Sequence, residues 1–336
     1  MKPDVTIKDV ARLAGVSPIT VSRVLNNSTN AREETRKRVL EAVKKLDYHP
    51  NRSARSLATR KSGFLGVIIP QKADYVFENP FHTLVLKGIS QVAESYEYRV
   101  LITTAARDNS YIQMFREKWI DGAILMSVSR FDTGVIQLYH EQVPFVMTCP
   151  FLEGFDVHWV DVDNFQGALD AVRYLVETGH RRIAMINGPS TLVSCRLRHQ
   201  AYKAVLDERG IRYDPSLVVE ADFTEAAGYD KMQELLRREP RPDAVFVAAD
   251  VAAIGAIQAA RQTGLMVPED ISVIGFDGLP LGQYIDPPLT TVLQPAYEKG
   301  VKAAEMLLKI LGDEKLDIPQ VKLPAQLVIR KSVKQR

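Results

Sequence analysis

The sequence predicts a two-part chain, a small all-α helix-turn-helix unit followed by an α/β core of two similar lobes. Three observations predict it. The first 47 residues keep helical apolar spacing around one glycine turn. From residue 63, apolar strand-like runs alternate with helical patterns in two series of comparable length. Charge divides at the same place: residues 1–61 hold 14 Lys and Arg against 6 Asp and Glu, whereas residues 62–336 hold 29 against 35. A basic head on an acidic body points to a head that meets a polyanion, a solvated basic helix face being the plainer alternative. At 336 residues the chain is also too long for one compact core.

The head reads as three short helices. Thr6 caps the first, with Asp9 as the reciprocal carboxylate of a capping box, and Ile7, Val10, Ala11 and Ala14 form its apolar face. Gly15 permits the turn. Ser17 caps the second helix and Pro18 takes its first position, where a missing N–H costs nothing. Val21, Val24 and Leu25 face inward, leaving Pro18, Ile19, Ser22 and Arg23 outward. A third helix, about Arg32 to Leu46, turns Val39, Val43 and Leu46 to one side. Helix, glycine turn and a second helix opening at Ser form a helix-turn-helix, a spacing that many small three-helix units share.

The connector "HPNRSARSLATRK" (49–61) is basic and holds one large apolar residue, Leu57. Beyond it, "GFLGVIIP", "RVLITTA", "DGAILMS" and "PFVMTC" are strand candidates, and "RIAMIN", "LVVEAD", "AVFVAA" and "ISVIGFD" repeat the rhythm. Alternation of this kind calls for parallel sheets covered on both faces. Ligands then bind beyond the carboxyl ends of the strands, most simply in the cleft between lobes. "TTVLQP" and "KLPAQLVIR" read as extra strands that return the chain across the lobes.

Several classes are disfavoured. There is no G-x-G-x-x-G after a strand, no Walker loop, no G-x-S-x-G and no H-E-x-x-H, and the six His lack metal-ligand spacing. No catalytic residue, metal or cofactor is expected. Cys149 and Cys195 read as free thiols. No apolar run reaches 18 residues and the N-terminus lacks a signal-peptide core, so a cytoplasmic location is expected.

"TIKDVARLAGVSPITVSRVLNN" followed by "TRKRVLEAVKKLDYHPNRSARSL" strongly resembles the lactose-repressor (LacI/GalR) family of bacterial transcription regulators. The likeness continues in "GHRRIAMINGP", "VPEDISVIGFDGLPLGQYIDPPLTTVLQP" and "LPAQLVIRKS", nearly the whole chain in the family's usual order. It implies a helix-turn-helix DNA-binding domain (1–47), a hinge helix or linker (48–61) and a periplasmic-binding-protein-like core (62–336). Its N-lobe would take about 62–160 and 293–322, and its C-lobe about 161–292 and 323–336. The resemblance further implies a homodimer on a near-palindromic operator, one head per half-site, repressing carbohydrate uptake or catabolism genes under a sugar-type effector. A cytoplasmic binding protein or an enzyme on the same scaffold is the alternative. The chain stops at "VIRKSVKQR" without a heptad tail, so a dimer is expected rather than a tetramer.

Residue by residue, the resemblance places Pro18, Ile19 and Arg23 at the base-reading positions. Arg suits guanine O6 and N7, whereas a Pro-Ile pair reads shape and thymine methyls. Ser22, Asn26 and Asn30 fall nearby, mostly on phosphates. Thr6, Ser17, Thr20, Tyr48, Asn51 and Ala54 also match DNA-contacting positions. Leu57 matches a leucine that wedges into the minor groove when paired hinge helices form on DNA; docking on the core is its plainer role. Such a wedge costs a few kcal/mol of unstacking, offset by the contacts that bent DNA permits.

In the core, Phe81, Arg198, Phe223, Asp277 and Gln294 match the effector-contacting pattern. Core packing is the alternative for the aromatics, and a surface ion pair for Arg198 and Asp277. Two departures stand out. Ala249 replaces an Asn, leaving Asp250 to be read as a helix cap, and Cys149 replaces an Asp. Both point to a smaller or less polar effector, or to a protein co-regulator. The segment 104–119 is also about one helical turn short of the family's usual length.

Overall fold

The computed structural model describes residues 5–25, 32–48, 61–104, 110–150, 155–316 and 319–336. The chain divides into two compact units, 1–62 and 63–336.

In the first unit, α1 (Ile7–Ala14) opens as local chemistry dictates: the Asp9 carboxylate accepts from the Thr6 N–H at 3.0 Å and its hydroxyl at 2.7 Å. Gly15, at φ 65°, turns the chain out of the helix, a conformation that costs glycine nothing. Ser17 Oγ accepts the Thr20 N–H at 3.2 Å and starts α2 (Pro18–Leu25), with Pro18 at its first position. α3 (Glu33–Leu46) ends on Asp47 at φ 49°. Val10, Ala11, Ala14, Val21, Val24, Val39 and Ala42 interlock as the core, with Val43 and Leu46 at its margin.

The second unit holds two six-stranded sheets. The N-lobe sheet runs β11-β5-β4-β3-β1-β2 and is parallel throughout. Its strands are β1 (Phe64–Ile69), β2 (Arg99–Thr104), β3 (Gly122–Leu125), β4 (Phe145–Met147), β5 (Trp159–Val162) and β11 (Gln320–Leu323). The C-lobe sheet runs β12-β10-β9-β8-β6-β7, parallel except for the antiparallel edge β12. It comprises β6 (Ile183–Asn187), β7 (Val218–Glu220), β8 (Ala244–Val247), β9 (Ser272–Asp277), β10 (Thr290–Leu293) and β12 (Gln326–Val328). The central strands are buried almost end to end, which is why they read as unbroken apolar runs.

Helices cover both faces of each sheet. In the N-lobe these are α4 (Ala73–Glu78), α5 (Pro80–Ser95), α6 (Ser110–Arg116), α7 (Thr133–His140) and α12 (Ala296–Leu311). In the C-lobe they are α8 (Asn164–Glu177), α9 (Val193–Glu208), α10 (Glu225–Leu236) and α11 (Asp250–Gln262). The chain crosses between lobes three times, after β5, after β10 and between β11 and β12. α12 presses on α5 backbone to backbone: a Cβ on Gly300 would stand 2.1 Å from the Val85 carbonyl oxygen. No helix among the described residues is long and apolar enough to cross a membrane.

β5 leaves no apolar mark in the sequence. "WVDV" is four residues long and carries an aspartate, so it lacks the apolar run that marked its neighbours.

Candidate DNA-reading head and effector cleft

α2 turns Val21 and Val24 inward, so its other face is open to solvent. Ser17, Pro18 and Arg23 are exposed, Ile19 is 65% exposed, and Thr20 and Ser22 are half-buried. An isoleucine that open on a helix starting with a cap and a proline is placed to meet a surface, not a core. Thr6 is exposed at the start of α1. Tyr48 differs from expectation: it is 8% exposed and belongs to the head's core, so its first role is to anchor the end of α3. Asn26, Asn30, Asn51, Ala54 and Leu57 lie outside the described residues.

Phe81, Arg198, Phe223, Asp277 and Gln294, scattered over more than 200 residues of sequence, line a single cleft between the two lobes. Counted with its open mouth, the space between the cleft walls is about 600 Å³. Local structure explains each placement. Asn79 caps α5 by accepting the Phe81 N–H at 3.0 Å, which sets Phe81 and His82 in the first turn. Thr224 caps α10 by accepting the Ala227 N–H at 3.2 Å, leaving Phe223 just ahead of that helix. Tyr75 of α4 faces Phe223 from the opposite lobe, ring centroids 6.1 Å apart. At the cleft's edge the Arg130 N–H reaches across to the Thr191 carbonyl at 3.0 Å.

Arg198 is not the surface ion pair that was its alternative. It is 5% exposed on the buried face of α9, with its guanidinium 3.6 Å from the Phe276 ring centroid. Nε and one terminal nitrogen donate to Asn164 Oδ1 at 3.0 and 2.8 Å, and the other donates to the Ala248 carbonyl at 2.5 Å. Asn164 in turn donates to Asp161 Oδ2 at 2.9 Å, and Asp161 Oδ1 accepts from Lys299 Nζ at 2.7 Å. A side-chain chain therefore runs from α12 through β5 and α8 to α9, linking both lobes behind the cleft.

Asp277 is likewise buried, at the end of β9 with φ 131°, a conformation held by Gln294. Gln294 donates its backbone N–H to the Asp277 carbonyl at 3.2 Å and its side-chain amide to the carboxylate at 2.5 Å. Burial first, and the neighbouring Asp250 next, raise the Asp277 carboxyl above its usual range.

Asp250 is not the cap of α11. Ala249 occupies that position without a side-chain bond. The Asp250 carboxylate is fully buried and instead accepts the Leu279 N–H at 2.7 Å and the Thr291 hydroxyl at 2.5 Å. It pins the turn that carries Asp277.

The cleft also holds more polar groups than the sequence pattern reveals. Ala249 and Cys149 do line it, and burial pushes the Cys149 thiol up to about 12. The two missing polar arms are offset by Asp161, Asn164, Lys299 and His82, all lining the cleft and all nearly buried. His82 Nε2 pairs with Ser127 Oγ at 3.1 Å, and burial, with Lys299 adding to it, drives its pKa down to about 4. A signal was present for Lys299: it shares the α12 face of Ala296, Gly300, Ala303 and Leu307, where a lysine is out of place. Asn164 and Asp161 gave none, since β5 itself went unread.

A basic helix-turn-helix head and a two-lobed core with a polar, aromatic-walled cleft define a ligand-responsive DNA-binding regulator. The comparisons with known proteins agree with that class. Residues 6–51 match the model for bacterial regulatory proteins of the lacI family, and residues 172–333 match a periplasmic binding protein-like domain. The chain is 35% identical to catabolite control protein A of Priestia megaterium, covering 98% of this chain and all of that one. It is 38% identical to the transcriptional repressor CytR of Escherichia coli K12, covering 98% and 96%. Among solved structures, the lac repressor dimer bound to operator and an anti-inducer superposes with a TM-score of 0.87 at 28% identity, covering 99% and 100%. A CelR–cellobiose complex gives 0.74 at 33% identity, covering 98% and 99%. The chain belongs to the lacI family of bacterial regulatory proteins. It is a DNA-binding transcriptional regulator, not an enzyme.

Proposed function

We propose that this chain is an effector-controlled repressor of carbohydrate uptake or catabolism genes, acting in the cytoplasm as a homodimer. Each head, 1–47, reads one half of a near-palindromic operator. Pro18, Ile19 and Arg23 face base edges, and Thr6, Ser17, Thr20, Ser22, Asn26 and Asn30 position the head on the backbone. Residues 48–61 form the hinge, where Asn51 and Ala54 approach DNA and Leu57 enters the minor groove, with Tyr48 anchoring it to the head's core. A sugar or sugar derivative binds in the cleft of 62–336 against Phe81, Arg198, Phe223, Asp277 and Gln294; the cellobiose complex of a relative supports this class. Closure of the lobes on the effector alters hinge pairing, and so operator affinity.

The observation that carries this reading is the convergence of those five side chains on one cleft of a chain whose second helix, α2, turns Pro18, Ile19 and Arg23 to solvent. The test is a titration of labelled operator duplex at fixed salt, with and without the dialysable small-molecule fraction of a cell extract. Operator affinity should shift severalfold with the extract, and Phe223→Ala should abolish the shift while leaving basal binding intact. Leu57→Ala should weaken basal binding. An unchanged affinity with extract, or full operator affinity in Leu57→Ala, contradicts the corresponding part.

A further inference from the structure

Lys299 is the cleft residue that neither packing nor helix chemistry accounts for. It is 5% exposed and lies in the first turn of α12, the helix end where a cation is least favoured. Its ammonium stands 5.5 Å from the Phe81 ring centroid, and among the described residues its one hydrogen-bond acceptor is Asp161 Oδ1. Asp161 is already satisfied: it also accepts the Val162 N–H at 2.8 Å and the Asn164 amide at 2.9 Å. Two of the three ammonium N–H groups thus remain for whatever fills the cleft.

Charge points the same way. Lys299 and Arg198 are both buried in the cleft wall, and of the two only Lys299 has a carboxylate hydrogen-bonded to it. The remaining cleft carboxyl, Asp277, accepts from Gln294 and is driven by burial towards its neutral form. The lining carboxyls, Asp161 and Asp277, are both hydrogen-bonded within the cleft wall, so an occupant that offers oxygen acceptors can meet the Lys299 and Arg198 donors left over.

We propose that Lys299 is a specificity-determining residue, which with Arg198 selects an effector bearing an anionic oxygen group, a carboxylate or phosphate monoester on a sugar-sized body. The inference rests on the effector-cleft reading and narrows its ligand class.

The test is calorimetric titration of the full-length protein at fixed ionic strength. D-Gluconate and D-glucuronate form the carboxylate arm, D-glucose 6-phosphate and D-ribose 5-phosphate the phosphate arm, and D-glucose, D-ribose and cellobiose the neutral set. At least one anionic probe should bind tenfold or more tightly than its neutral parent. Lys299→Met and the double variant Lys299→Met/Asp161→Asn, which leaves no charge unpaired, should each bring that ratio to about one, read against the neutral parent's affinity in the same variant. Neutral probes binding as tightly as the anionic ones, or a ratio unmoved in both variants, overturns the inference and leaves the effector reading standing. Protein that binds operator yet answers neither probe set nor the extract fraction overturns both.

Discussion

Asp161→Ala tests the polar chain behind the cleft at its midpoint. The substitution removes the carboxylate that pairs with Lys299 at 2.7 Å, in surroundings where the two side chains are 3% and 6% exposed. It also strips the Asn164 amide and the Val162 N–H of an acceptor. A buried ion pair broken from one side costs about 3–5 kcal/mol, because the surviving charge is stranded. Replacing both members with apolar residues of similar volume, as in Asp161→Leu/Lys299→Met, should recover the part due to the stranded charge and leave about 1–3 kcal/mol for the Asn164 and Val162 donors that lose their acceptor. Urea unfolding of the two variants beside the parent protein measures both quantities. Asn164 also orients Arg198 through two hydrogen bonds, so ligand binding should fail in both variants even though part of the stability returns in the double one. A single-variant loss under about 1 kcal/mol, or additive losses in the double variant, refutes the reasoning.

Further predictions follow from individual contacts. Arg23→Ala should cost about 1–3 kcal/mol of operator affinity, concentrated at one base pair, if the side chain grips guanine; uniform weakening over all sequences would assign it to phosphate. Gly300→Ala should destabilise the core by at least about 1–3 kcal/mol, because the new Cβ meets a backbone carbonyl at 2.1 Å, and an unchanged urea midpoint would contradict that packing. His82, depressed to about 4 from its ordinary 6.5, binds a proton less readily folded than unfolded. Its contribution, on the order of 3 kcal/mol, is therefore present above pH 6.5 and is lost as pH falls toward 4. His82→Gln should flatten that part of the stability–pH curve, and a curve of undiminished slope would remove the assignment.

What was legible in the sequence was local or periodic. The first two helices of the head announced themselves through Thr6, Asp9, Gly15, Ser17 and Pro18, whose partners lie within a few residues. The central strands were visible because burial on both faces leaves only apolar residues. The cleft was legible in part, and by resemblance: periodicity alone would have left Phe81 and Phe223 among ordinary core aromatics. Asp250 shows the limit. Its place after β8 suggested a cap, but its partners, Leu279 and Thr291, are 29 and 41 residues away. Asp161 is a stronger case, since the lysine that makes its burial tolerable lies 138 residues further on. Non-local pairing of polar groups leaves no periodic trace, and this cleft is built from such pairs.

The most direct measurement is selection of bound sites from a random duplex pool by the full-length protein at fixed, near-physiological salt, since phosphate contacts make affinity depend on it. The account predicts enrichment of a near-palindrome with a flexible pyrimidine–purine step at its centre, the step most easily opened by an apolar wedge. Failure to enrich any sequence, with and without cell metabolites, would contradict it.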